Sequence, residues 1–174
     1  MKKLTWGVII LLLVLLGPVI CAADIVEFPK CNARISGDLK GVRVQDKSDE
    51  QGESSQYFAH IGKGVAVHVM RIDFPDELLK GESSDDILDF MVQIVMKTMN
   101  KAADGDIDIL SIEPTSYNDL PGRIVTMDMA EVGCMQKTKA FLKDHRSIIA
   151  ATLVGPTDKV GERENLIFES FRFW

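Results

Sequence analysis

The chain is poor in the residues that build metal and nucleophilic centres. It holds three histidines (His60, His68, His145) and three cysteines (Cys21, Cys31, Cys134) in 174 residues. No G-x-S-x-G, H-E-x-x-H or glycine-rich phosphate loop occurs, which removes the familiar signatures of serine hydrolases, zinc proteases and nucleotide-binding enzymes. His60 and His68 fall on adjoining strands of an expected hairpin but lack a third ligand at zinc spacing, and His145 reads as a turn residue. Positive charge is also in short supply. Twenty Lys and Arg stand against 26 Asp and Glu, a net −6, and an acidic chain repels phosphate backbones, so nucleic-acid binding is excluded as a function class. There is no internal repeat, no low-complexity segment and no linker long enough to split a domain.

The apolar residues concentrate at the N-terminus. Lys2 and Lys3 precede an apolar run from Trp6 to Leu16, a Gly17-Pro18 break and the small residues Ala22-Ala23. This is the order of a secretory signal peptide, with cleavage expected after Ala23. Two other readings stay open: an uncleaved anchor over Trp6–Ala23, at the short limit for a span, and lipidation of Cys21, which the β-branched Ile20 before it disfavours. No later run approaches membrane-spanning length. The exported part, residues 24–174, has 151 residues, a net charge of −8 once the two lysines are gone, and the length of one domain. Cys31 and Cys134 remain in it. In an oxidising compartment they could pair, closing a loop of about 100 residues and adding up to about 4–5 kcal/mol, or they could stay as separate buried thiols.

Polarity and turn signals order the rest. VEFPKCNARI and GVRVQ look like short strands, with Pro29 at a strand start or edge. Asp46–Ser55 reads as a solvated loop. QYFAHI and VAVHVMRIDF flank Gly62-Lys63-Gly64 as a hairpin whose second strand is apolar on both faces, hence central. Ser83–Asp104 is the strongest helix. Ser83 and Asp86 form a capping-box-like start, acids occupy the first turns, Lys97 and Lys101 lie near the end, and Ile87, Met91, Ile94 and Val95 make an apolar stripe meant for a sheet. Ile107–Ile112 is a strand and Pro114–Gly122 a turn-rich link. Three antiparallel strands follow, Arg123–Glu131, Met135–Lys143 and Arg146–Val154, the last apolar on both faces and so central. A final helix begins at Thr157 or Asp158, and Arg172-Phe173-Trp174 forms an extended tail. The fold class expected is α+β, an antiparallel sheet with two main helices packed on it.

Four pieces of the C-terminal half carry a resemblance. Leu120-Pro121-Gly122-Arg123 enters a strand, a hairpin follows, Leu153-Val154-Gly155-Pro156 ends the next strand, and Phe168-Glu169-Ser170-Phe171-Arg172-Phe173 ends the last helix. Over Phe74–Phe173 the chain resembles the PsbP-like superfamily. That superfamily includes an extrinsic subunit of photosystem II, a nuclear factor that binds the Ran GTPase, and bacterial envelope lipoproteins. The resemblance implies a binding or accessory role and transfers no catalytic residues.

Two metal readings compete with structural ones. Asp104-Gly105-Asp106-Ile107-Asp108 spaces carboxylates as a calcium loop does, but Ile109 and Thr115 stand where such a loop needs glycine and glutamate. Met127, Met129, Met135, Cys134, Met70 and His68 could gather soft ligands for copper(I), against the plainer reading of a methionine-filled core. Ser83-Ser84 beside Asp85-Asp86 reads as a helix cap rather than a nucleophile, and Arg123 is expected to pair with an acid of a packed helix. The expectation is therefore a non-enzymatic exported binding or accessory domain of the bacterial envelope. It needs no cofactor and no metal, meets a protein partner whose identity the residues do not give, and touches membrane only through an uncleaved N-terminus. The alternative is a small-ligand, calcium or copper binder, or a weak enzyme, using a pocket between sheet and helix.

Overall fold

The structure, a computed structural model, describes residues 24–49, 52–62, 64–103, 107–129 and 133–174. Two antiparallel sheets carry it. The small one has order β1-β2-β10, with β1 (Ile25–Phe28), β2 (Ala33–Ser36) and β10 (Arg172–Phe173). The large one has order β3-β4-β5-β9-β8-β7-β6, formed by β3 (Lys40–Asp49), β4 (Gly52–His60), β5 (Ala66–Asp73), β6 (Asp108–Tyr117), β7 (Leu120–Met129), β8 (Cys134–Lys143) and β9 (Ser147–Pro156). Three α-helices join them: α1 (Asp76–Leu79), α2 (Ser84–Ala103) and α3 (Thr157–Ser170). Among the described residues no helix is long and apolar enough to cross a membrane.

The strand with the most continuous apolar run sits at the centre. Ser147 to Leu153 of β9 are all buried, because α2 and α3 lie on opposite faces of the sheet and alternation cannot expose either side. Register divides the apolar side chains into two cores. Val67, Val69, Phe141, Ile149, Ala151 and Leu153 point to the face covered by α3 and the small sheet. Met70, Val125, Met127, Ala140, Leu142, Ile148 and Ala150 point to the face of α2.

Helix α2 starts as its sequence predicts. Asp86 N–H donates to Ser83 Oγ (3.2 Å) and Ser83 N–H donates to Asp86 Oδ2 (3.1 Å), a reciprocal capping box. Arg123 fastens this end to the sheet, donating to Asp85 at 2.6 Å and Asp89 at 3.4 Å. The strand carrying Arg123 comes close to its neighbour at Gly122, where an added Cβ would lie 2.4 Å from the Ala140 carbonyl and 2.7 Å from the Phe141 ring. The P-G-R entry is thus a close-packing requirement.

Three expectations change. Asp46–Ser55 is no loop over its described residues: β3 continues to Asp49 and pairs with β4 from Gly52. The segment lacks apolar alternation because β3 is exposed on both faces. Pro114–Gly122 is not a link either. β6 runs through Pro114, and a tight turn at Asn118-Asp119, both at positive φ, leads straight into β7. Pro114 is tolerated there because β6 is an edge strand. VEFPKCNARI forms two strands of a separate sheet, broken by a single 3₁₀ turn at Pro29–Cys31.

Candidate functional site

Helix α2 packs on β7 and β8, so it covers only part of its face of the large sheet. Over β4, β5 and β9 that face is open and forms a cleft of about 530 Å³. Its walls include Met70, Ile72 and Phe74 from the end of β5, Ile94 from α2, and Ala66 and Val154. Lys47, Glu53, Ser54 and Gln56 stand on the β3–β4 side.

A row of polar side chains crosses the cleft floor. Cross-strand register places Phe58, His68, Thr152 and Thr138 directly opposite one another on β4, β5, β9 and β8. The Phe58 ring stacks on the imidazole at 4.5 Å and 3°. Thr138 and Thr152 share a hydrogen bond of 3.0 Å between hydroxyls, and Gln136 Nε2 donates to Thr138 Oγ1 at 3.2 Å. All three are buried. Burial of polar groups is stabilising only when their hydrogen bonds are made, and this row stops one group short. Among the described residues, His68 Nε2 is the buried side-chain nitrogen or oxygen that no protein group hydrogen-bonds. Burial also pushes the His68 pKa down to about 4, so the imidazole is neutral at physiological pH.

A second depression of about 440 Å³ lies between α1 and the β8–β9 turn, lined by exposed side chains of both signs including Asp76, Glu77, Lys80 and Arg146. It contains no buried polar group, and the cleft on the α2 face is the better-built site.

Of the two readings left open for the cysteines, the structure has the separate thiols. Cys31 and Cys134 are free thiols that belong to opposite faces of the large sheet. Cys31 lies in the core beneath α3, with Sγ 3.3 Å from the Ser55 carbonyl oxygen and 3.9 Å from that of Val69. Cys134 alternates with Gln136 and Thr138 on the α2 side. Following register from Val69 through Ala151 to Lys139, Cys134 is two strands across and five residues along, roughly 20 Å away at ordinary strand spacings. Burial raises the Cys31 pKa to about 12, which makes it an inert core thiol.

The copper set is also divided. Met70, Met127 and Met129 pack on the α2 side, but Met135 packs into the opposite core, leaving methionine as filler on both faces. The calcium-like segment falls largely on residues 104–106, outside the described residues, and Asp108 is exposed on β6. No group of three His, Cys, Asp or Glu side chains suited to a metal occurs among the described residues. Arg71 makes a clasp rather than a site. It pairs with Asp73 at 2.9 Å, and Ser147 Oγ donates to the same carboxylate. Burial alone would raise the Asp73 carboxyl, but the bonds from Arg71 and Ser147 outweigh it and hold it below the usual carboxylate value.

Sequence reasoning reached His68 and missed Phe58, Gln136, Thr138 and Thr152. The signal available was Thr152, a lone hydroxyl inside the apolar run of β9, together with Gln136 and Thr138 on core-facing positions of its neighbour.

No family model and no curated protein matches the sequence. Solved structures do match. One is the solution structure of cyanobacterial PsbP (CyanoP) from Synechocystis sp. PCC 6803, with a TM-score of 0.61 at 14% identity, covering 91% of this chain and 96% of that one. The α+β architecture expected from the sequence is therefore present, and the fold is PsbP-like.

Proposed function

We propose that this chain is a non-catalytic, exported binding domain of the cell envelope and that the cleft on the α2 face is its binding site. The observation that carries the reading is the cleft floor. An apolar-walled hollow of about 530 Å³ is in the range of small-molecule sites, and it surrounds a buried polar row with an unused nitrogen. A non-catalytic role fits the chemistry of the residues. No serine or cysteine shares a hydrogen bond with an imidazole among the described residues, and a histidine with a pKa of about 4 is a weak base at neutral pH. Export is supported by the charge, apolar and small-residue order of residues 2–23. The likeness of fold to cyanobacterial PsbP is compatible with an accessory role and names no ligand.

The test is binding of N-phenyl-1-naphthylamine, an uncharged dye that brightens in apolar surroundings, to the exported protein. Wild type is expected to enhance its fluorescence saturably. Ile72→Glu and Val154→Lys, which place opposite charges in the same cleft, are both expected to abolish the enhancement while keeping a cooperative unfolding transition. Equal enhancement by wild type and both variants would overturn the reading.

A further inference from the structure

We infer that the cleft takes an uncharged amphiphile, an apolar chain or ring bearing one hydroxyl, and that it seats this hydroxyl between Thr152 and His68. The inference rests on the reading of the cleft as a binding site and adds the chemical class of its occupant.

Gln136 Nε2 donates to Thr138 Oγ1, so the single Thr138 proton is free to serve the bond to Thr152 Oγ1. Either hydroxyl can donate in that bond, and where Thr138 donates the Thr152 proton remains to be given. The next residue in the row is His68, whose Nε2 also has no protein partner. No direct Thr152–His68 bond is made, so two unused polar groups face each other across neighbouring strands. A hydroxyl suits both: it accepts the Thr152 proton, and it donates to or accepts from Nε2 according to the tautomer. An ether oxygen can only accept, and it serves Nε2 only when that nitrogen carries the proton.

Charge decides against an ionic head group. The row of Gln136, Thr138, Thr152 and His68 carries no formal charge at neutral pH, so an ion placed there would lose its hydration without gaining a counter-ion. The charged residues that line the cleft, Lys47 and Glu53, have opposite signs and favour neither an anion nor a cation. The apolar body of the ligand meets Met70, Ile72 and Phe74.

Phe58 controls access. Nε2 is shut off from solvent beneath a stacked ring that is itself 40% exposed. The hydroxyl reaches the nitrogen when this ring swings outward, and the ligand's apolar body takes its place on the imidazole.

The experiment displaces the naphthylamine dye at pH 7.5 with decan-1-ol, 1-methoxydecane and sodium decanoate, using the exported wild type, Thr152→Val and His68→Gln. Decanol is expected to displace at about one-tenth the concentration of its methyl ether, the gain of about one well-made hydrogen bond that only the hydroxyl can donate. Thr152→Val removes a donor that serves both oxygens and should weaken alcohol and ether alike, leaving their ratio near the wild-type value. His68→Gln, which removes the ring nitrogen that takes the hydroxyl proton and keeps a polar side chain, should bring the alcohol's advantage down towards one. Equal potency of alcohol and ether on wild type overturns the hydroxyl reading and leaves the cleft as a binding site. Stronger displacement by decanoate overturns it in favour of an anion site. Failure of the dye to bind wild type removes the cleft reading and this inference together.

Discussion

The two faces of the large sheet are sealed to different degrees. On one, α3 and the small sheet cover the strands, and Tyr117, Phe141, Phe171 and Phe173 meet with ring centroids 4.8–6.5 Å apart. Among the described residues, the buried cluster on that face is built of apolar side chains and Cys31. On the other, α2 packs on β7 and β8 and leaves a cleft over β4, β5 and β9, floored by His68 and Thr152 and bordered by Gln136 and Thr138 of β8. The same strands build both faces, so the contrast comes from which residues alternate. With the proposed binding site on the α2 face, it separates a sealed core from a polar-floored one, the division expected when local rules are broken at sites of function.

Substitutions across the sheet test that division. Phe141 is 1% exposed in the aromatic cluster, and Phe141→Ala is expected to lower stability by about 3–5 kcal/mol. Met70→Ala, on the rim of the cleft, leaves a hole that merges with open space and should cost about 2 kcal/mol, the low end for such truncations. Urea unfolding of both variants measures the difference, and equal losses would break the comparison. Acid gives the next largest effect. The His68 pKa falls from 6.5 to about 4 on folding, so the unfolded chain takes up the proton first. Stability from this group is intact above pH 6.5 and is lost as pH falls towards 4, by roughly 3 kcal/mol in total. His68→Leu should flatten that part of the pH profile, and an unchanged profile would show that the imidazole is not desolvated. The smallest effect is at Arg123. Its side chain is 13% exposed but Asp85 and Asp89 are 75% and 62% exposed, so Arg123→Ala should cost about 1 kcal/mol, part of it lost packing. Hydrogen exchange in the first turns of α2 should speed up while β9 stays protected.

Much of the scaffold was readable because each element announced itself twice. Helix α2 had both a capping box and an apolar stripe, and β9 had an apolar run, broken only by Thr152, ended by Gly155-Pro156. The elements misread had one signal or a conflicting one. Asp46–Asp49 is as polar as a loop because an edge strand exposed on both faces has no core to alternate against. Asn118-Asp119 supplies a tight turn without glycine, which blurred the boundary between β6 and β7. The cysteine pairing stayed open because sheet-face parity cannot be assigned until the strand ends are known, and one residue of slip reverses it. The floor of the cleft was legible only at His68. Its partners become a site through register between β5, β8 and β9, which no linear pattern contains.

The Arg123 fastening has a mechanical consequence. It grips α2 at Asp85 and Asp89, in the first turns, whereas Ile94 borders the cleft. At the rise of an α-helix, Ile94 sits about 13 Å along the axis from Asp85. The helix is then a lever with its fulcrum at the ion pairs, and a tilt of about 5° displaces the cleft wall by about 1 Å over that arm. Arg123, with the buried Ile87, Leu88 and Met91, thus holds the end of the helix from which the cleft wall is projected.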